Sequence, residues 1–232
     1  MSDIEIGQDT IKRLVKDIKQ VLKSDISKDG IYYKHDETNM LLGYALVIGP
    51  DDTPYEYGNF LFRFEFPKDY PYTPPKVSYL TNDGKTRFHP NLYKNEKVCL
   101  SLLNTWKGEG WTSCQTIMSV LLTIQSIMDN KPLLHEPGLT EKHLDFNTYN
   151  EIVKYRTTQI AIARILTKTI YPEITELFWS EIIYNFKKNY NKIIEKIPDN
   201  DNSELRTSVY GMNYIVKYSK SKDIFKKALQ AY

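Results

Sequence analysis

The sequence of 232 residues has only two cysteines, which cannot supply the several disulfides of a small secreted scaffold. Its two cysteines and four histidines show no CxxC or HxxxH spacing, so we expect no metal site. Charge of one sign is not in excess either, because 31 Lys and Arg stand against 29 Asp and Glu. The net charge of +2 gives no reason to expect nucleic acid as a partner.

Long apolar runs are also absent, since nowhere do about 18 apolar residues follow one another. The first residues lack the basic start and apolar stretch of a signal peptide, and no GxxxxGK[ST] loop for phosphate is present. We therefore expect no membrane association, no bound cofactor, and a location in the reducing environment of the cytoplasm, the nucleus or both.

Hydrophobic periodicity predicts one helix followed by several strands. Apolar residues from Ile11 to Leu22 repeat at helical spacing, which predicts a first helix. The apolar run 40–48 predicts a buried strand, and the phenylalanines at positions 60, 62, 64 and 66 alternate as in a strand that covers a core. A third strand is predicted at 76–80, and the short connections favour an antiparallel meander.

The C-terminal half is predicted to be helical. Two capping-box signatures, Thr112–Gln115 and Thr148–Glu151, predict helix starts, and Pro172 predicts a helix that runs to about residue 197. Residues 198–203 are polar, as in a linker. The apolar positions that follow, such as Leu205, Met212 and Phe225, predict a further helix.

An irregular stretch between the strands and the helices carries the most specific pattern. His89-Pro-Asn91 is followed eight residues later by Cys99, and upstream lie the segments 49–60 and 66–77 with their ordered Pro, Tyr and Gly residues. These four motifs, in this order, resemble those of ubiquitin-conjugating enzymes. The resemblance covers roughly residues 11–197 and is strongest to the longer branch typified by conjugating domains fused to large inhibitor-of-apoptosis proteins.

The resemblance implies an α+β, UBC-like fold. In that fold an N-terminal helix precedes a four-stranded antiparallel meander sheet, a central helix follows the active-site loop, and helices end the domain. Residues 1–197 would then form the catalytic domain with two C-terminal helices. Residues 198–232 have no family counterpart and would be a linker with a helical extension.

The same resemblance implies the roles of individual residues. Cys99 would accept ubiquitin from an activating enzyme as a thioester, and the ATP would be used by that enzyme. Asn91 would stabilise the oxyanion formed when a substrate lysine attacks, and His89 would hold the loop. His135 and Glu136, in the loop that should border the cysteine, are candidates for orienting or deprotonating the lysine.

Partner contacts are the least typical part of the resemblance. Ligase contacts would involve Tyr72 and Ser113, but Tyr72 replaces the usual phenylalanine and Trp111-Thr-Ser-Cys114 lacks the usual proline. Recognition of a ligase is therefore open, and transfer could proceed with or without one. Ubiquitin, the activating enzyme and protein substrates are the other implied partners.

Other interpretations of these residues stay open. The chain could conjugate another ubiquitin-like modifier, or act as a non-catalytic ubiquitin-binding scaffold, although scaffolds of this family lack the cysteine. A hydrolase built on Cys99 and a histidine is a third alternative. Cys114 is expected to be an inert, buried thiol in the first turn of a capped helix.

Overall fold

A computed structural model describes residues 6–198 and 201–231. In chain order the helices and strands are α1 (Gln8–Lys23), β1 (Ile31–His35), β2 (Leu42–Ile48), β3 (Asn59–Glu65), β4 (Lys76–Tyr79), α2 (Ile117–Ser126), α3 (Phe146–Arg156), α4 (Pro172–Leu177), α5 (Trp179–Glu195), β5 (Glu204–Arg206), β6 (Asn213–Ile215) and α6 (Tyr218–Ala231). No helix within the described ranges is both long and apolar enough to cross a membrane.

The first four strands form one antiparallel sheet in the order β1-β2-β3-β4. Ala45 of β2 lies opposite Phe62 of β3, and Phe62 lies opposite Tyr79 of β4, so these three residues form one row across the sheet. The alternating phenylalanines of positions 60–66 are all buried, as their period of two requires. The predicted four-stranded meander and the α+β class are confirmed, and β1 adds an edge strand that no pattern in the sequence had indicated.

Helix α1 packs beside the sheet through the apolar face that the periodicity predicted. Leu14 and Val21 are buried. On the same helix, Asp17 is buried and accepts hydrogen bonds from Arg13 Nε at 2.9 Å and from the Tyr70 hydroxyl. Because both partners satisfy the carboxylate, the charge can be buried without a large penalty.

The predicted start of the central helix at Thr112 is wrong, since α2 begins at Ile117. Thr116 is the N-cap, and its Oγ1 accepts from the Ser119 N–H at 3.3 Å while Ser119 Oγ accepts from the Thr116 N–H at 3.0 Å. A serine thus closes the capping box that a glutamine was expected to close. As a consequence Cys114 lies in a turn before the helix and is exposed, so the prediction of a buried thiol is also wrong.

The second predicted capping box, at Thr148, is also wrong. Helix α3 begins at Phe146, and the side chain of the N-cap residue Asp145 makes no hydrogen bond to its own helix. Its buried carboxylate instead accepts from Ser208 Oγ at 2.6 Å and from the Val209 N–H at 2.8 Å. A tertiary contact has taken the side chain that local capping would use. Beyond Arg156 the helix continues as a π-helix over Thr157–Arg164.

The helix predicted from Pro172 is two helices, α4 and α5, separated by Phe178. The backbone of Phe178 leaves helical geometry (φ −106°, ψ 19°), and its side chain is fully buried. The prediction of one continuous helix from Pro172 is therefore wrong at Phe178.

The C-terminal segment packs against the rest of the chain. It forms the short hairpin β5–β6 before α6, so the prediction of helix around Leu205 and Met212 is wrong. Strands of three residues are too short to show an alternating pattern. Helix α6 buries Phe225 with its ring centroid 5.6 Å from that of Phe186 in α5. The division of the chain at residue 197 stays a prediction.

Candidate active site

The loop that carries His89-Pro-Asn91 folds back onto the segment that carries Cys99. The Cys99 N–H donates to the Asn91 carbonyl at 2.9 Å, and Leu92 forms a bridge with Val98. The Asn91 side chain strengthens the same pairing, because its Nδ2 donates to the Cys99 carbonyl at 2.6 Å. The spacing of eight residues therefore places an amide donor beside the cysteine through local chain reversal.

His89 supports this loop from inside the protein. It is fully buried, and its Nδ1 accepts from the Asn91 N–H at 3.0 Å. Burial holds the pKa of His89 well below its ordinary value of 6.5, and the nearby His135 and Arg87 act in the same direction. A neutral histidine that receives the Asn91 N–H positions the loop, and these contacts give no support to a hydrolase with His89 as its base.

The Cys99 thiol is covered in this structure. Cys99 is only 2% exposed, and its Sγ donates to the Thr105 carbonyl at 2.7 Å. The turn 101–105 is held in place by the Thr105 hydroxyl, which accepts from the Leu100 N–H at 2.9 Å and contacts the Val98 carbonyl at 3.0 Å. The turn 101–105 therefore covers the sulfur in this arrangement.

The loop predicted to border the cysteine does lie beside the His89 loop. The ring of His135 is centred 4.6 Å from the ring of His89, and its Nε2 pairs with Asp129 Oδ2 at 2.8 Å. The next residue, Glu136, accepts a hydrogen bond from the hydroxyl of Tyr210 in the C-terminal hairpin. The structure thus places His135 beside His89 and Glu136 beside Tyr210, and each of these two candidate lysine-orienting residues has a hydrogen-bonding partner.

The two ligase-contact candidates lie on adjoining loops. Tyr72 is 77% exposed, and Ser113 is exposed with its carbonyl accepting from Arg13 at 2.6 Å. The indole of Trp111 joins the loops by donating to the Pro71 carbonyl at 2.7 Å. This surface is accessible and is held against α1.

Besides Thr105, three residues around the site were missed by sequence reasoning. Arg87 donates to the carbonyls of His89 and Pro90, at 3.2 and 2.6 Å, and its closeness to the motif was a usable signal. Asp129 and Tyr210 gave no signal, because aspartates are common and the chain has 18 tyrosines. The Cys99 thiol and the neighbouring Asn91 amide are groups that suit acyl transfer from a thioester to an amine.

Comparison with known proteins bears on this chemistry. Residues 13–159 match the family described as ubiquitin-conjugating enzyme. Ubiquitin-conjugating enzyme E2 Z of Danio rerio is 40% identical over 188 residues, which cover 80% of this chain and 56% of that protein. The human E2 Z is 43% identical over 157 residues, or 66% of this chain and 44% of that protein. This chain thus spans about half the length of these relatives.

A second kind of relative matches a shorter part of the chain. Human BIRC6, described as a dual E2 ubiquitin-conjugating enzyme/E3 ubiquitin-protein ligase, is 42% identical over 118 residues. These residues cover 48% of this chain and 2% of that protein. The similarity to E2 Z therefore extends over more of the chain than the similarity to BIRC6.

Proposed function

Because the chain belongs to the ubiquitin-conjugating enzyme family, we propose that it accepts ubiquitin from an activating enzyme as a thioester on Cys99 and transfers it to substrate lysines. The observation that carries the proposal is the pairing of Cys99 with the Asn91 amide beside the loop of His135 and Glu136.

The first step is an exchange of thioesters. The Cys99 thiolate attacks the C-terminal carbonyl carbon of ubiquitin, the new C–S bond forms, and the thiolate of the activating enzyme leaves. Since one thioester replaces another, the step is nearly neutral in free energy. The activating enzyme consumes the ATP, and we propose that this chain needs no cofactor or metal of its own.

The second step transfers ubiquitin to an amine. A lysine Nζ attacks the thioester carbonyl, negative charge develops on its oxygen, and the C–S bond then breaks to release Cys99 and form an amide. The Asn91 Nδ2 carries two hydrogens, of which one engages the Cys99 carbonyl. The other is the donor we propose for the oxyanion. Glu136 or His135 would orient the lysine and take up its proton.

Partners and location follow as further proposals. The exposed surface of Tyr72 and Ser113 would meet a ligase where one takes part, and transfer without a ligase would use the same site. A free thiol as the working group fits a reducing compartment, the cytoplasm or the nucleus.

Loading on Cys99 is the direct test. The chain is incubated with activating enzyme, ATP and ubiquitin, and the products are resolved on gels with and without thiol reductant. We expect a reductant-sensitive adduct with the unmodified chain, none with Cys99→Ala, and a reductant-resistant oxyester with Cys99→Ser.

Cys114→Ala is the matched control, because it removes the other thiol from an exposed turn. Loading of Cys99→Ala, or loss of loading in a folded Cys114→Ala, would contradict the assignment. Loading by another ubiquitin-like modifier in place of ubiquitin would redirect the proposal to that modifier.

A further inference from the structure

The C-terminal hairpin reaches the candidate active site through the turn 207–212. Its anchor on the helical side is the carboxylate of Asp145, which accepts from Ser208 Oγ and the Val209 N–H. Its anchor on the other side is Met212, whose Sδ accepts from the Arg87 N–H at 3.4 Å. The turn is therefore fixed at both ends, next to the residues that support the His89 loop.

Tyr210 lies at the centre of this turn in an unusual backbone conformation. Its φ of 62° is in the left-handed region, which a bulky residue adopts only where its surroundings hold it. Those surroundings include Lys94, whose Nζ donates to the Tyr210 carbonyl at 3.3 Å. The conformation directs the Tyr210 side chain toward the site.

The Tyr210 side chain contacts both Glu136 and Arg87. Its hydroxyl donates to Oε2 of Glu136, which belongs to the loop 132–136. Its ring faces the guanidinium of Arg87, which lies 4.9 Å from the ring centroid and is stacked at 3.4 Å on the ring of Tyr93. Arg87 in turn holds the carbonyls of His89 and Pro90.

We infer that Tyr210 is a positioning residue for the transfer step, because it fixes Glu136 against the incoming lysine while its ring keeps Arg87 on the His89 loop. The inference rests on the proposed function, since it assigns Glu136 to the amine. The hydroxyl is a neutral donor throughout the physiological range, because burial and the Glu136 carboxylate raise the pKa of Tyr210 above its ordinary value. Loading on Cys99 involves no lysine and should not need this contact.

The test uses Tyr210→Phe in the full chain, because phenylalanine keeps the ring on Arg87 and removes only the hydroxyl. The matched control is Tyr214→Phe, which removes a hydroxyl from the same hairpin, one that contacts Thr86 Oγ1 at 2.9 Å. Loading by activating enzyme and ubiquitin is timed first. Discharge of the preloaded chain is then measured against free lysine over a range of concentrations, which separates the KM for lysine from kcat.

We expect Tyr210→Phe to load at the rate of the unmodified chain and to lose about 10-fold in kcat/KM for lysine, mainly through a higher KM. Tyr214→Phe should match the unmodified chain in both steps. In a Glu136→Ala background Tyr210→Phe should have no further effect, because the two residues act through one contact. If Tyr210→Phe proves unstable, Glu136→Ala alone should show the same split between loading and discharge.

Three results would overturn the inference. The first is a kcat/KM of Tyr210→Phe equal to that of Tyr214→Phe. The second is equal slowing of loading and discharge, which a general loss of structure would produce. The third is an undiminished effect of Tyr210→Phe in the Glu136→Ala background. Failure of the unmodified chain to load at all would overturn the proposed function instead, so the two failures are distinguishable.

Discussion

Replacing Asn91 by alanine separates the two chemical steps that the site is proposed to perform. The change removes the side-chain amide that donates to the Cys99 carbonyl at 2.6 Å. It leaves the backbone hydrogen bond from the Cys99 N–H to the carbonyl of residue 91 at 2.9 Å. We expect loading of Cys99 to persist and discharge to lysine to become slow.

The expected magnitudes differ because the amide does two different things in the two steps. As a brace for the loop it is one neutral hydrogen bond, worth about 0.5–1.5 kcal/mol in net stability. His89 Nδ1 and Arg87 hold the same loop independently, so loading should fall by less than about 10-fold. As an oxyanion donor the amide is worth about 2.7–4 kcal/mol of barrier, or a loss of about 10²- to 10³-fold in discharge.

The assay compares two rate constants in the same preparation. A loading time course with activating enzyme, ATP and ubiquitin gives the first, and single-turnover discharge of preloaded protein to free lysine gives the second. Asn95→Ala is the matched control, because Asn95 is an exposed asparagine in the same loop. Urea unfolding of each variant measures the loss of stability separately.

Two outcomes would refute the reasoning. Equal slowing of loading and discharge would mean that Asn91 acts only as a brace for the loop. Discharge at the rate of the unmodified chain would mean that no oxyanion donor is lost. In either case the hydrogen bond to the Cys99 carbonyl would be the whole role of this amide.

Three further predictions concern stability and reactivity. Phe225→Ala should cost about 3–5 kcal/mol of unfolding free energy in urea, because the ring is fully buried, while Leu229→Ala on the exposed side of α6 should cost under about 0.5 kcal/mol; equal costs would show that α6 does not dock as described. Below pH 6.5 the unfolded chain protonates position 89 and the folded chain does not, so stability should fall by up to about 1.4 kcal/mol per pH unit. His89→Gln should flatten this slope between about pH 6.5 and 5, where few carboxylates titrate. The pKa of His35 is lowered as well, so the measurement that tests the prediction is the difference between the slopes of the variant and of the unmodified chain. Identical slopes would contradict the prediction. Iodoacetamide should label Cys114 before Cys99 in the folded chain, as peptide mass spectrometry would detect, because one thiol is exposed and the other lies under the Thr105 turn; faster labelling of Cys99 would show that the turn opens readily.

Local patterns along the chain are enough to predict those elements whose signals come from neighbouring residues. The alternation of four phenylalanines over residues 60–66 allows one sheet face to be buried, and a pattern of period two has no other compact solution. The His89-Pro-Asn91 triplet and Cys99 are close enough in sequence for one chain reversal to pair them. For these residues the spacing along the chain is sufficient to predict which side chains lie close together.

Helix starts were less well determined, because several residues nearby carry the same capping signal. Thr112 and Thr116 both precede a residue able to close a capping box, and only packing selects the second. The Asp145 carboxylate accepts hydrogen bonds from Ser208 and Val209, so α3 begins without a side-chain cap. Where local signals are nearly equal in free energy, a tertiary contact of about 1 kcal/mol decides between them.

Only the tertiary structure brought Tyr210 to Glu136, which is 74 residues away in the sequence, and placed the Thr105 carbonyl over the Cys99 thiol. Neither contact leaves a pattern in the sequence, because a single tyrosine or a backbone carbonyl looks the same wherever it packs. Such contacts depend on how the hairpin and the turn dock against surfaces built from other parts of the chain. Their geometry exists only once the sheet and helices have formed those surfaces.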